Sequence, residues 1–301
     1  MIPDFQSLML PFLKIAGDKE EHSTNEVVDT LAKSNNLTEE ELQNLLPSGK
    51  QRTFTNRVHW TKAHLKMSGL IYDTRRSHFK ITERGIDVLK QNPEGINIKF
   101  LRQFPEYLEF RGKNNQTIVS DNKEEAAISE TPDEQLEAGF LKIRKSLEQE
   151  LLSKLKTINP YFFERIVVEL LVKMGYGGSI QDAGQAIGKS GDEGIDGIIK
   201  EDKLGLDVIY IQAKRWEGVV GRPELQKFVG ALAGQRAKKG VFITTSNFTK
   251  EAIVYTTQMD TKIVLIDGEK LSQYMIDYNL GVSVQSTYEV KKIDSDYFEE
   301  E

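Results

Sequence analysis

GDEGIDGIIKEDKLGLDVIYIQAKRW, residues 191–216, decides how this chain is read. It holds two apolar runs of strand character, GIDGII and VIYIQAK, on either side of the polar KEDKLGLD. Alternation along the second run sets Ile209, Ile211 and Ala213 on one sheet face and Val208, Tyr210, Gln212 and Lys214 on the other. A lysine at the end of such a strand needs a reason, because burying an unpaired ammonium costs far more than one apolar contact returns. If the two runs pair, Asp196 lies beside Gln212 and Lys214, and the small Gly194 and Gly197 leave room for a ligand or a close backbone approach. A carboxylate, a carboxamide oxygen and a lysine around one small site suit Mg²⁺ or Mn²⁺. Such an ion can activate water and offset charge on a phosphate, with the lysine orienting that water or stabilising an anionic transition state. An ordinary salt bridge explains the same spacing, and both readings stand at this point.

The strand candidates are Ile195–Ile199 and Val208–Ala213, from these two runs, and then Val241–Thr244 and Ile263–Ile266, with helical patterns at Pro223–Ala237 and Glu269–Tyr278. This alternation predicts an α/β sheet flanked by helices. Upstream, Asn159-Pro160 reads as the N-cap and first residue of a helix, YFFERIVVELLVKMGYGG. Its core face is Phe163, Ile166, Val167, Leu170, Leu171 and Met174. Glu164 flanks that face and is the candidate second carboxylate. Glu169 is turned away, with Arg165 and Lys173 four residues to either side, where surface ion pairs form. Gly221-Arg222-Pro223 opens a later helix, so Arg222 and the free N–H groups there can hold a phosphate, although a plain helix start has the same sequence. Thr244, Thr245 and Ser246 end a strand and are weaker candidates for touching a DNA backbone.

The totals narrow the chemistry. The 301 residues are enough for two domains with their own cores. With no cysteine, disulfides, thiolate nucleophiles and cysteine-bound zinc are excluded. All four histidines (His22, His59, His64 and His78) fall in the first eighty residues, so the remainder cannot run Ser-His-Asp or histidine-zinc chemistry from its own side chains. The first residues lack a basic leader and cleavage site, and no run approaches the roughly 20 apolar residues of a membrane helix. A soluble, cytoplasmic chain with no membrane partner is expected. AGQAIGKSG ends like a phosphate-binding P-loop, but Ala183 stands where the first glycine belongs and no strand runs into it, so no nucleotide cofactor is expected.

The N-terminal half carries a different pattern. Ser23–Ser34 and Thr38–Leu46 read as helices started by hydroxyl caps. FTNRVHWTKAHLKMSGLI follows as a third helix, with Phe54, Val58, Trp60 or Thr61, Leu65 and Ile71 facing a core. Two short strands then enclose the turn Thr74-Arg75-Arg76-Ser77. Three helices and a basic hairpin are the order of a winged helix-turn-helix. Between residues 50 and 80 stand eight basic residues, Lys50, Arg52, Arg57, Lys62, Lys66, Arg75, Arg76 and Lys80, against the single acid Asp73, a local net of +7 in a chain of net -6. That is an electrostatic footprint for phosphates. The third helix can enter a major groove, while Arg75 and Arg76 reach a minor groove or backbone. A solvated face on a protein-binding winged helix has the same composition. Phe100 to Arg111 is aromatic and docks on one of the domains. Residues 114–139 carry seven acids against one lysine, which reads as a partly disordered linker. Leu136, Phe140, Ile143, Leu147, Leu151, Leu155 and Ile158 recur at helical spacing after it.

YFFERIVVELLVKMGYGG, GDEGIDGII, YIQAKRWEGVVGRPELQKF, ALAGQ and GVFITTSNFTKEA together resemble the Mrr-type catalytic domain of the PD-(D/E)xK nuclease superfamily, over residues 159–278. The N-terminal half resembles the winged-helix domain of Mrr restriction endonucleases. The resemblance implies an α/β nuclease domain, a mixed sheet flanked by helices, at residues 136–301. A winged helix occupies 1–95, with a connector and acidic linker at 96–135. Its pattern of helix acid, Asp and Gln-x-Lys falls on Glu164, Asp196, Gln212 and Lys214, with Glu164, Asp196 and Gln212 toward the metal. Gln212 departs from the Glu or Asp usual in the superfamily, which leaves metal binding weaker or leaning on Glu164. The implied activity is Mg²⁺-dependent (or Mn²⁺-dependent) cleavage of double-stranded DNA carrying methylated or otherwise modified bases, a restriction defence; a double-strand break with one active site per chain adds the expectation of a homo-oligomer. Two alternatives remain: a DNA-binding regulator whose nuclease domain has lost metal, and a structure-specific repair nuclease.

Overall fold

Three helices of the N-terminal unit start where a hydroxyl, on Ser23, Thr38 or Thr82, accepts a backbone N–H. The computed structural model describes residues 1–112, 129–177, 194–202, 205–291, 293 and 297. Two units divide the chain, Met1–Lys142 with Lys291–Glu301, and Ile143–Val290. In the first, α1 (Met9–Ile15) precedes β1 (His22–Ser23) and α2 (Thr24–Ser34). Ser23 and Glu26 form a reciprocal capping box at the start of α2. Thr38 and Glu41 repeat it at α3 (Glu39–Gln43). This helix stops short of the expected Leu46: Pro47 has no N–H to continue it, and Leu45 bridges back to Arg52. Next come α4 (Thr53–Met67), β2 (Ile71–Arg75) and β3 (His78–Ile81), with Arg76-Ser77 as the turn. The three strands form an antiparallel sheet in the order β1-β3-β2, so β1 adds a strand to the expected hairpin. Phe54, Val58, Thr61, Leu65 and Ile71 are buried and Trp60 is only half-buried, which selects Thr61 for the core.

After α5 (Glu83–Lys90) come α6 (Ile98–Leu101) and α7 (Pro105–Gly112). Ile96, Ile98, Leu101 and Tyr107 enter the first unit's core, with Phe100 and Phe104 packed against it. The aromatic connector therefore docks on the winged-helix unit. The acidic stretch needs a correction. Residues 113–128 lie outside the described residues, but α8 (Pro132–Thr157) starts within the expected linker. The buried Thr131 accepts from the Glu134 N–H, and Glu134 accepts from the Thr131 N–H. Asp133 accepts from Asn56 and from the Trp60 indole, and Glu137 accepts from Ser48. These acids cap and pair, although their composition reads as solvated chain. The contact division falls after Lys142, against an expected boundary after residue 135.

In the second unit, α9 (Pro160–Lys173) is capped by Asn159 with Pro160 in its first turn. The strands β4 (Gly197–Lys200), β5 (Val208–Lys214), β6 (Lys239–Thr244) and β7 (Lys262–Ile266) form a sheet in sequence order. β4 and β5 are antiparallel, while β5, β6 and β7 are parallel. The helices α10 (Arg222–Gly234) and α11 (Lys250–Thr257) connect the parallel strands, and α12 (Gly268–Asp277) follows β7. Period-two alternation sorts the faces. Ile209, Ile211, Ala213, Val241 and Ile243 pack with α8, α9 and α12. Phe242 and Tyr210 face α10 and α11. The architecture is thus a mixed sheet between helical layers. Because β4 and β5 run in opposite directions, Asp196 just before β4 and Lys214 at the end of β5 share one end of the sheet. The P-loop-like segment at 183–191 lies outside the described residues.

Candidate active site

Asp196 donates its backbone N–H to Ile211 at 2.8 Å, and its Oδ2 accepts from the Ala213 N–H at 2.8 Å. Two bonds therefore fix the carboxylate beside the Gln212-Ala213-Lys214 stretch. Gly194, at φ +105°, lets the chain pass close over this point, and a Cβ there would sit 3.0 Å from the Gln212 amide nitrogen. Gln212 is 8% exposed, and its Oε1 has no hydrogen-bond partner. A buried acceptor left unmade costs about 1–3 kcal/mol, so this oxygen fits an electropositive guest.

Glu164 is half-buried on α9 and Glu169 is exposed, as helical spacing places them. Burial raises the Glu164 carboxyl above its ordinary range, and the Asp196 charge raises it further. Burial raises Asp196 too, against the opposing Ala213 N–H and the Lys214 charge. Two carboxyls close enough for the charge of one to raise the other, with an unpartnered amide oxygen, are an oxygen donor set suited to a hard divalent cation. No group of three or more carboxylates or histidines with metal-binding geometry occurs among the described residues. Among the described residues, the amide oxygen of Gln212 is the further oxygen beside these two carboxyls.

The raised values carry a stability consequence. The folded chain retains protons that the unfolded chain has released, so these two groups cost stability as pH rises from their ordinary values to their folded ones. Asp196→Asn keeps an acceptor for Ala213 and removes the charge. Its thermal midpoint at neutral pH, without metal, should exceed that of the parent, with a flatter pH dependence between acid and neutral pH. An unchanged or lower midpoint would argue that Asp196 is not strained by burial.

Lys214 is close enough to Asp196 for its charge to lower that carboxyl, and it has a further partner. Its ammonium makes a short ion pair with Glu224, in the first turn of α10, and lies 4.4 Å from the centroid of the Trp216 ring. The second Glu224 oxygen pairs with Lys227 at 2.9 Å. Sequence reasoning missed Glu224, because an acid in a first helical turn reads as a partner for the helix dipole. Arg222 lies over the Tyr255 ring at 4.9 Å. Thr244 and Thr245 are buried; Thr245 Oγ1 accepts from the Trp216 N–H and donates to the Trp216 carbonyl, while Thr244 Oγ1 accepts from the Ser246 N–H. The Thr245 hydroxyl thus holds the chain after β5, and the Thr244 hydroxyl holds the chain after β6.

On the first unit, Arg52, His59 and Lys66 stand seven residues apart, are all exposed, and so share the outer face of α4. Lys50 and the wing residues Arg75 and Arg76 are also exposed, with Arg75 paired to Glu21 at 2.9 Å. Lys62, at the flank, bonds Thr24 and Asp73 and lies over Phe79. Arg57 is the correction. It projects from the opposite side of α4, where its guanidinium bonds Glu134 and the carbonyls of Ile2 and Pro3.

Residues 155–275 match the restriction endonuclease (Mrr catalytic) family, and residues 5–91 match the Mrr N-terminal domain. The type IV methyl-directed restriction enzyme EcoKMrr of Escherichia coli (strain K12) is 37% identical over 312 residues, covering 99% of each chain. Among solved structures, the MspJI restriction endonuclease bound to a 27-mer oligonucleotide matches 68% of this chain and 49% of its own, at 19% identity and a TM-score of 0.29. The DNA modification-dependent restriction endonuclease AspBHI matches 68% of this chain and 52% of its own, at 14% identity and a TM-score of 0.34.

Proposed function

The chain belongs to the Mrr restriction endonuclease family, and from that premise we propose that it hydrolyses phosphodiester bonds in double-stranded DNA carrying methylated or otherwise modified bases. The observation that carries the site assignment is the buried, unpartnered Gln212 oxygen beside Asp196 and Glu164. Asp196, Glu164 and Gln212 are the residues that hold a divalent ion, Mg²⁺ or Mn²⁺, which when bound polarises the phosphate and the attacking water. The neutral amide makes this donor set less anionic than three carboxylates and leaves Glu164 a larger share of the binding. Asp196 is oriented for this by the Ala213 N–H. Lys214 lies at the open end of the sheet, 33% exposed, where its ammonium can stabilise charge on the phosphate oxygens or orient the water.

Residues 1–95 locate the duplex and residues 136–301 cut it, joined through the connector at 96–135. Lys50, Arg52, Lys66, Arg75 and Arg76 contact phosphates or groove edges, with Lys62 at their flank, and Arg222 contacts phosphate on the cutting unit. Scission of both strands with one site per chain calls for at least two chains acting together. The substrate is DNA entering the cytoplasm, and among the described residues no helix is long and apolar enough to cross a membrane. The test is plasmid cleavage with Mg²⁺ on methylated and unmethylated DNA. Cutting of the methylated plasmid alone supports the reading. Equal cutting of both moves recognition to another feature of DNA, and tight binding without any cutting overturns the nuclease. Arg52→Ala and Lys66→Ala should each lower the slope of log affinity against log salt by about 0.9. Binding curves that keep the parent slope remove these residues from the interface.

A further inference from the structure

We infer that Glu224 is a positioning residue for Lys214. This rests on the reading of Asp196, Glu164, Gln212 and Lys214 as the active site. In a strand, residues two apart share a face, so Gln212 is the side chain beside Lys214 on its own strand, and it brings no charge. The anion for Lys214 comes instead from the first turn of α10, where Glu224 makes the short ion pair. Glu224 is only 16% exposed, and its other oxygen is held by Lys227 at 2.9 Å, so the carboxylate is itself fixed. The Trp216 ring provides a second wall, 4.4 Å from the ammonium, and Trp216 is anchored in turn by the Thr245 hydroxyl. A lysine side chain has four rotatable bonds and samples many positions when free. Here an anion and an aromatic face select one. The clamp also gives the ammonium a partner other than Asp196, leaving the Asp196 carboxylate for the donor set. Glu224 thereby replaces, from a helix, the charge that Gln212 lacks.

The test compares the parent with Glu224→Gln, Glu224→Asp, Lys214→Ala and Lys214→Met. It reads single-turnover cleavage with Mg²⁺, DNA affinity, the thermal midpoint, and tryptophan emission of the metal-free protein. Trp60, the other indole, is bonded to Asp133 in the first unit and gives a constant background. Glu224→Gln should lower the single-turnover rate by roughly 10²-fold, with DNA affinity within about twofold of the parent. Its midpoint should fall only modestly, with the fold retained, and its emission should shift in the same direction as that of Lys214→Met, where the cation over the ring is gone. Glu224→Asp keeps the charge on a shorter arm and should recover part of the rate. Parent-like cutting by Glu224→Gln, with Lys214→Ala inactive, overturns the role of Glu224 and leaves the active site standing. A lowered rate with unmoved emission also overturns it, since Glu224 would not then act through Lys214. Parent-like cutting by Lys214→Ala removes both assignments. Should Glu224→Gln fail to fold, Glu224→Asp carries the same comparison, and its overturning result is parent rate with parent emission.

Discussion

Asp196→Ala and Lys214→Ala will each yield a folded protein that binds DNA and no longer cuts it. The expected loss is roughly 10²–10⁴-fold in single-turnover rate, the scale on which a group acting in a proton-transfer or charge-stabilising step is felt. For Asp196 the argument is positional. Its carboxylate is fixed by the Ala213 N–H, stands beside an amide oxygen without a donor, and is close enough to Glu164 for its charge to raise that carboxyl. On the proposed reading, alanine removes the central oxygen donor and leaves Gln212 and Glu164 too few to hold an ion. For Lys214 the argument is exposure with restraint: the ammonium is accessible, yet clamped between Glu224 and Trp216. Plasmid cleavage measures the loss, and fluorescence anisotropy on a modified duplex verifies that the first unit still binds. If both variants cut at the parent rate, the reaction runs elsewhere on the chain. Glu164→Gln should sit between parent and Asp196→Ala, because the isosteric amide keeps an oxygen at that position and loses only charge.

The parts of this site that were legible in the sequence obey a period. Alternation in VIYIQAK separates Gln212 and Lys214 from the core residues Ile209, Ile211 and Ala213, and the sheet keeps that separation. Helical spacing separates Glu164 from Glu169 on α9 in the same way. Two features could not be read so. Glu224 meets Lys214 because the chain between β5 and α10 brings the first turn of that helix to the end of the strand, and nothing local in the sequence records that return. The acids Asp133, Glu134 and Glu137 look like solvated linker by composition, while their partners, Asn56, Trp60, Arg57 and Ser48, stand some 70 to 90 positions earlier in the chain. Composition measures what a segment can bury by itself. It carries no information about polar groups elsewhere waiting for a carboxylate.

The same limit explains Arg57, and it separates charge that binds DNA from charge that holds the fold. Counting basic residues between positions 50 and 80 includes Arg57 with the others, but on α4 it points away from the face shared by Arg52, His59 and Lys66. The Arg57 side chain is 18% exposed and that of Glu134 11%, with two backbone carbonyls completing the set of acceptors around the guanidinium. Arg57→Ala leaves Glu134 and both carbonyls without their donor. Breaking a largely buried pair on one side should destabilise the first unit by about 3 kcal/mol, a drop in thermal midpoint on the order of 10 °C for a unit of this size. Arg52→Ala, at an exposed position, should stay within about 0.5 kcal/mol of the parent and act on DNA affinity instead. Thermal unfolding and anisotropy on the same two proteins should therefore give opposite orders of effect. Arg57→Ala with a parent-like midpoint and a loss of affinity matching Arg52→Ala would place Arg57 back among the DNA contacts and leave Glu134 to be satisfied by other donors.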